Sequence, residues 1–399
     1  MTNRLYYDNP YVTQFDATVL ACRPCGDSWE VLLDRSAFYP TSGGQPFDTG
    51  TLGGARVTDV NVTDGEVWHT VDSPLSVDAQ VKGCIDWPRR FDHMQQHAAD
   101  HMIASALHRL MGGVTIGLHI SADVSTIDVA MPGGATHLTD EDIRRIEDDV
   151  NERIQRDVPI RCWFPEAAEL AALPLRKAPT VTEHVRIVAI GEDEMVACGG
   201  THPATAGQIG LVKILSATPA RGKMRVAFLA GQRALADYRQ ARQSAQEAAK
   251  LLSSPIEKLP DSVRALQEKL LAAQDEIAGL RRAQLFARTD ELLMEAQPLP
   301  DGSFLVARMV EANASTLHEF ASHLITTPGY VVLLGAKRGD TVQYVFGRAD
   351  DVDVNMGALM RQAAALCGGK GGGRPDFAQG GGSEEMLMEA VRLVRQGLC

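Results

Sequence analysis

Long uninterrupted apolar runs are missing from this 399-residue chain. No stretch reaches the roughly 18 residues that a membrane-crossing helix needs, and residues 1–10 (MTNRLYYDNP) hold no apolar segment of the kind a secretory leader carries. The expectation is a cytoplasmic protein with no membrane partner. Positive charge is also in short supply. Lys and Arg number 39 against 51 Asp and Glu, a formal charge of −12, which excludes a protein that coats nucleic acid through bulk charge but allows a local basic groove. Cysteine is sparse and odd in number, seven over the whole chain, which argues against a disulfide framework and for a reducing compartment with free thiols or metal ligands. Cys22 and Cys25 form a CxxC, but no second CxxC follows to complete a metal site and no helix follows to lower a thiol pKa. The pair lies between strand-like runs at 15–21 and 28–33 and reads as turn chemistry. A phosphodiesterase of the DHH class is left without its clustered Asp and His, because no DHH triplet occurs.

What is present is an ordinary globular composition, 45% hydrophobic and 23% charged with 36 Gly, over a length that predicts two to four compact units. Residues 13–86 alternate short apolar runs with turn signals and read as a small antiparallel sheet or barrel. A helix is predicted over 92–111, a strand over 125–130, a helix started by Thr139 and the acidic turn that follows, and strands at 185–190, 209–215 and 224–230. This is an α+β pattern. After Gly231 the composition becomes that of long helices, and Leu259, Val263, Leu266, Leu270, Ala273, Ile277 and Leu280 form a heptad seam that wants a partner helix. Residues 233–252 folding back on it and a homodimer are both open readings. The last hundred residues return to strand and helix alternation, a compact α/β or α+β unit.

Two motifs carry the chemistry. His97 and His101 stand four apart on a predicted helix, so both imidazoles project from one face and can reach one ion. His93 shares the stripe, and three histidines on one face are also what a polar surface shows. A hundred residues later Cys198, Gly199, Gly200, Thr201 and His202 (CGGTH) put a thiolate and an imidazole on a glycine loop; a tight turn with a buried thiol is the plainer alternative. Together the motifs supply the N and S donors that Zn2+ prefers, one ion per chain. His97, His101 and Cys198 are the firmer ligands. His202 is either a fourth ligand or an acid-base group beside the ion.

These residues resemble a known family, the trans-acting alanyl-tRNA editing proteins called AlaX, which are similar to the editing domain of alanyl-tRNA synthetase. The resemblance runs through FYPTSGGQPFDTG (38–50), RRFDHMQQHAADH (89–101), RIVAIG (186–191), CGGTH (198–202) and GGKGGGRPDFAQGGG (368–382) in the family's order. The last block is similar to the DHH-associated C-terminal domain of the long AlaX form. The resemblance implies an α+β protein built of a small β-barrel (1–90), a zinc-binding α+β editing core (91–232), a helical, coiled-coil-like connector (233–297) and a globular α/β tRNA-binding domain (298–399). It implies hydrolysis of the seryl, or glycyl, ester on alanine tRNA. Where the family commonly has Thr after the first zinc histidine, this chain has Ala98, and where it commonly has Thr two residues before FYP, this chain has Ser36.

Further residues are expected to complete the site. Gly43 and Gly44 would let backbone amides approach the aminoacyl group, with Gln45 beside them as a neutral hydrogen-bonding side chain; an ordinary turn is the alternative. Alanine is smaller than serine, so no steric filter spares correct alanyl-tRNA, and Ser36 is expected to supply the hydroxyl that recognises serine. In the C-terminal block Lys370, Gly371, Gly372, Gly373 and Arg374 would present amides and cations to tRNA phosphates, against the plainer reading of a flexible glycine linker. The approximate P-loop at 364–371 lacks the Ser or Thr that must reach magnesium, so a nucleotide-binding fold is not predicted. The non-enzymatic rival is a zinc-stabilised RNA-binding protein.

Overall fold

The computed structural model describes residues 2–179, 181–339 and 341–397, the side chain of Arg338 apart. The chain resolves into two compact units, Met1–Glu247 and Ala248–Cys399.

In the first unit, period-two alternation drives one face of each early strand inward. Strands Gln14–Cys25, Ser28–Leu33, Glu66–Val71, Ala55–Thr63, Gly50–Leu52 and Gln80–Ile85 pair in that spatial order, all antiparallel, and the last closes on the first to form a barrel. Phe15, Val19, Val31, Leu33, Phe38, Val57 and Val71 fill it. The first strand runs through the CxxC to Cys25, where Cys22 faces Val31 and Pro24 faces Trp29. The turn therefore falls on Gly26 and Asp27, later than the turn-like look of Arg23 and Pro24 suggested. Pro24 is tolerated because the second neighbour of this strand, Gln80–Ile85, pairs only as far as Thr18, which leaves no ladder bond for Pro24 to lose.

Pro88 opens the helix Trp87–Met111, and left-handed Gly112 closes it, its N–H returning to the His108 carbonyl. This helix and Asp140–Gln155 lie on a four-stranded antiparallel sheet, Val212–Ala220, Lys223–Ala230, Ser125–Ala130 and Val114–Ile120 in spatial order. Thr139 caps the second helix with a reciprocal Asp142 contact, the capping box. Ile146 and Val150 from that helix meet Met102, Ala106 and Val226 in a shared core. A three-stranded sheet, Ile160–Trp163, Ile187–Ile190 and Glu194–Ala197, leads into the CGGTH loop.

One buried ion pair joins barrel and helix. Arg90, on the first turn of the histidine helix, and Asp48, in the loop after the GGQ segment, are both wholly buried. Arg90 Nε donates to both Asp48 carboxylate oxygens, Nη1 donates to the Pro10 carbonyl at 2.8 Å and Nη2 to the Ala37 carbonyl at 2.5 Å. Asp48 also accepts from the Tyr39 N–H at 2.7 Å.

The second unit is built on a six-stranded mixed sheet in the order Gln297–Pro298, Phe304–Met309, Tyr330–Arg338, Thr341–Arg348, Phe377–Gly382 and Lys370–Gly373. Helices Met356–Leu366 and Glu385–Arg395 cover one face and Ala314–Leu324 the other. The seam residues lie on one helix, Leu259–Ala287, where Val263, Leu266, Leu270, Ile277 and Leu280 stand 44 to 64% exposed. The glycine run is a packed hairpin and not a flexible linker. A Cβ on Gly371 would lie 2.7 Å from Gly380 Cα, and one on Gly357 would lie 2.4 Å from the Gly373 carbonyl oxygen, so bare glycines let the hairpin lie against helix Met356–Leu366. No helix among the described residues is long and apolar enough to cross a membrane.

Ser36 departs from expectation. Its hydroxyl is wholly buried in the barrel and lies 2.7 Å from His69 Nε2, while its oxygen accepts from the Phe38 N–H at 3.1 Å. His69 Nδ1 meets the Val31 carbonyl at 3.1 Å, so that nitrogen carries the proton and Nε2 accepts from Ser36. The hydroxyl expected to read the substrate is committed on both sides to the barrel's own wall.

Two outcomes follow from these buried groups. Asp48→Asn should lower unfolding free energy by about 3 kcal/mol or more, because it leaves the Arg90 charge buried without a counter-charge; urea melts at neutral pH measure this. Burial pushes His69 down to about 4 from the usual 6.5. The unfolded chain then binds the extra proton between those values, so stability should fall as pH drops from 6.5 to about 4, with about 3 kcal/mol at stake from this group. Urea midpoints across that window should fall less steeply in His69→Gln than in the parent.

Candidate metal centre

Helix period places His97 and His101 on one face, and the CGGTH loop brings Cys198 and His202 to it. One donor atom from each of the four lies within 4.8 Å of every other. His97 Nε2 and His202 Nε2 each stand 3.4 Å from Cys198 Sγ. The three imidazoles pack ring against ring, with centroids 4.6 to 5.2 Å apart. His93 does not join them and is buried separately one turn earlier.

The orientation of each imidazole has an identifiable cause. His97 Nδ1 lies 2.8 Å from Gln45 Oε1, an acceptor, which leaves Nε2 unprotonated and facing Cys198. Gln45 is wholly buried; its Nε2 donates to Thr201 Oγ1 at 2.8 Å, and its Oε1 accepts the Thr201 N–H at 3.2 Å. Gln45 therefore clasps both motifs together. His101 Nδ1 stands 3.4 Å from the carboxylate of Glu194, which is wholly buried and held by Arg176 through Nε at 2.8 Å and Nη2 at 2.9 Å. Arg176 in turn donates to Thr115 Oγ1 at 2.8 Å. The sequence reading missed Glu194 and Arg176. The available signal was alternation, since Glu194 and Val196 share the buried side of the short strand Glu194–Ala197 that leads into Cys198.

The electrostatics favour a thiolate. Burial works against it, but the three histidines outweigh burial and hold the Cys198 thiol well below its usual range. Burial would likewise lower His101, but the Cys198 thiolate and the Glu194 carboxylate carry it up to about 10. Burial takes His202 down to about 3, which keeps that imidazole neutral and its lone pair available, and its Nδ1 has no partner. A buried thiolate with converging imidazoles is a donor set that fits a metal ion.

Two glycines are required by close approach. A Cβ on Gly200 would fall 2.1 Å from His97 Cε1 and 2.3 Å from its Nδ1. Gly44, at φ +85°, would drive a Cβ to 2.2 Å from the Leu118 carbonyl oxygen. Ser42 and Gln45 exchange backbone hydrogen bonds of 3.1 and 3.0 Å across Gly43 and Gly44, both at positive φ, the geometry of a tight hairpin turn. Gly43 is exposed and Gly44 half-buried. The structure thus brings together Gly43, Gly44, Gln45, His97, His101, Cys198 and His202, and sets Ser36 apart in the barrel wall. Lys370, Gly371 and Gly373 lie exposed on an edge strand of the second unit with Gly372 half-buried, and Arg374 beyond it pairs with Asp376 at 3.1 Å.

Gly200→Ala should tilt His97 off the cluster and cut metal affinity by at least about tenfold, the order of loss seen when a ligand's support is disturbed. Elemental analysis after dialysis against a weak chelator, parent beside variant, measures it.

Three family descriptions and several relatives match this chain. The description "tRNA synthetases class II (A)" matches residues 12–89, "Threonyl and Alanyl tRNA synthetase second additional domain" matches 185–226, and "DHHA1 domain" matches 301–398. The alanine–tRNA ligase of Methanothrix thermoacetophila is 33% identical over 396 residues, covering 96% of this chain and 42% of the ligase; that of Pyrococcus abyssi is 31% identical over 392 residues, covering 95% and 42%. The chain thus spans about two fifths of the length of these ligases. The solved C-Ala domain of the Aquifex aeolicus alanyl-tRNA synthetase aligns with 29% identity over 26% of this chain and 96% of that domain, at a TM-score of 0.24. The alanyl-tRNA editing protein AlaX-L of Pyrococcus horikoshii is 30% identical over 392 residues, 95% of this chain and 94% of that protein. With that relative matched from end to end, the chain belongs to the alanyl-tRNA editing protein family in its long AlaX form.

Proposed function

We propose that this chain is a zinc-dependent hydrolase that removes serine, or glycine, from mischarged alanine tRNA. The observation that carries the reading is the meeting of four donor atoms within 4.8 Å at the foot of the GGQ turn. The 3.4 Å edges from Cys198 Sγ to His97 Nε2 and His202 Nε2 are close to the roughly 3.5 Å expected between sulfur and nitrogen bound tetrahedrally to zinc. His202 belongs to the ligand set on this reading, because its Nε2 faces the same thiolate as His97. Held by all four side chains, zinc would have no open position; it would fix the four donors in place and supply positive charge beside the ester.

The chain's own residues do the rest. The Gly43 and Gly44 amides donate to no group among the described residues and are free to hold the aminoacyl carbonyl or its developing negative charge. Water adds to that carbonyl carbon, the bond to the ribose oxygen breaks, and the departing oxygen takes a proton to leave free amino acid and an uncharged tRNA end. An aminoacyl ester is already activated, so modest catalysis suffices. The edge strand at Lys370–Gly373 and Arg374 provide amides and cations for tRNA phosphates.

Selectivity against alanine needs a hydroxyl that serine can satisfy and alanine cannot. Ser36 has spent its hydrogen on His69. Thr201 has not, since its oxygen accepts from Gln45 while its O–H has no acceptor among the described residues. We assign the discriminating hydroxyl to Thr201.

Deacylation of seryl-, glycyl- and alanyl-tRNA tests the reading, with release expected for seryl or glycyl and little for alanyl. His97→Ala should abolish release and lower zinc content. Thr201→Val should lower seryl release at least about tenfold with zinc retained, and Thr201→Ser should stay active. A pure RNA-binding protein would bind charged tRNA and release nothing.

A further inference from the structure

A cluster of aromatic and cationic side chains beside the CGG loop has no part in the chemistry above. Tyr7, from the N-terminal segment, sets its hydroxyl 3.5 Å from where a Cβ on Gly199 would stand, one residue from Cys198. The Arg186 guanidinium lies 5.3 Å and the Arg4 guanidinium 5.9 Å from the centre of the Tyr7 ring. Phe164 meets the Tyr7 ring edge-on at 5.6 Å and leaves 47% of itself exposed, although it is a large apolar side chain. On the adjoining strand Arg161 stands 5.8 Å over Trp163, whose indole N–H donates to Glu169 at 2.9 Å.

Packing alone explains only part of this. Arg186 is tied down by the Cys198 and Gly200 carbonyls, which accept from its Nη1 at 3.1 and 2.8 Å, while its buried Nε has no acceptor. The loop that holds the thiolate is thereby fastened to the same guanidinium that covers Tyr7. In a chain of net charge −12, four aromatic or cationic neighbours within one ring's reach of a metal loop form a local positive patch with π-faces. Alternating guanidinium and aromatic groups are what unpaired nucleotides recognise, since every base offers a face to stack and the backbone offers charge.

We infer that Phe164 and Tyr7, flanked by Arg4 and Arg186, form a stacking platform for the terminal nucleobase of the acceptor strand. This rests on the reading of the site as an aminoacyl-ester hydrolase. An ester carbonyl held at the Cys198 loop joins its base through a single ribose, so the base must settle within one nucleoside of that loop, and Phe164 is the half-exposed aromatic ring there. A stacked base orients the ribose and hence the ester, which makes Phe164 and Tyr7 positioning residues and not catalytic ones.

The test uses the full chain with its metal and a non-hydrolysable probe, 3′-seryl-amino-3′-deoxyadenosine, beside the same seryl ribose lacking the base. Calorimetry should show the adenine probe binding at least about tenfold more tightly than the abasic one, the low end of what base stacking supplies. Phe164→Ala should remove most of that difference with zinc content unchanged, and Phe164→Tyr should restore it. On charged tRNA the loss should appear in KM more than in kcat. Equal binding of the two probes by the parent, or an unchanged preference in Phe164→Ala, overturns the platform. If the preference holds and depends on Phe164 but no ester is released from any charged tRNA, the platform stands and the hydrolase reading fails.

Discussion

The buried charge of Arg90 constrains the first unit more than any apolar contact. A guanidinium removed from water must find a counter-charge and acceptors for its remaining protons, and here they come from Asp48, the Pro10 carbonyl and the Ala37 carbonyl. Pro10 lies ahead of the barrel, Ala37 just before the FYP segment and Asp48 just after the GGQ turn. Arg90 itself precedes His97 by two helical turns. Satisfying one side chain therefore sets three stretches of the barrel unit against the helix that carries His97 and His101. Misplacement of any of them would leave a charge or a carbonyl unpaired in a dry interior, which is costly enough to make the docking specific.

The His and Cys cluster inherits that rigidity and adds an asymmetry. His97 is steadied by a neutral amide, Gln45, whereas His101 faces a carboxylate held by Arg176. A carboxylate behind one imidazole raises its basicity and a neutral amide leaves the other less electron-rich, so the two helix histidines are unequal donors although they are equal in sequence. Burial opposes the thiolate, and the neighbouring His97, His101 and His202 lower the Cys198 pKa against it. In the second unit the same close-packing logic serves a different end, for Gly371 and Gly380 let a hairpin lie on a helix where a Cβ would fall 2.8 and 2.5 Å from Met360.

Much of this was legible from pattern alone. The strand at Ser125–Ala130, the capping box at Thr139 and the helix carrying HxxxH follow from local spacing and propensity. The meeting of HxxxH with CGGTH was legible too, because the residue types have few other uses in combination. Ser36 was not readable in the same way. Its hydroxyl was expected to face the substrate, and only the packed barrel shows His69 waiting 33 positions away to take its hydrogen.

The chain's order of residues pointed, without reference to contacts, to most of the elements, to His97, His101 and Cys198 with the part of His202 left open, and to the family, because helix and strand periods and ligand chemistry are local properties. Tertiary structure alone decided which group supports each donor, that Gln45 faces His97 and Glu194 faces His101, that the glycine run is a packed hairpin, and that Tyr7 comes to stand beside Gly199. Gln45 and His97 are 52 positions apart, His101 and Glu194 93, and Tyr7 and Gly199 192. Such separations carry no periodic signal, and the choice among them is made by burial: once the interior is dry, each polar group must take whichever partner the fold has brought within reach.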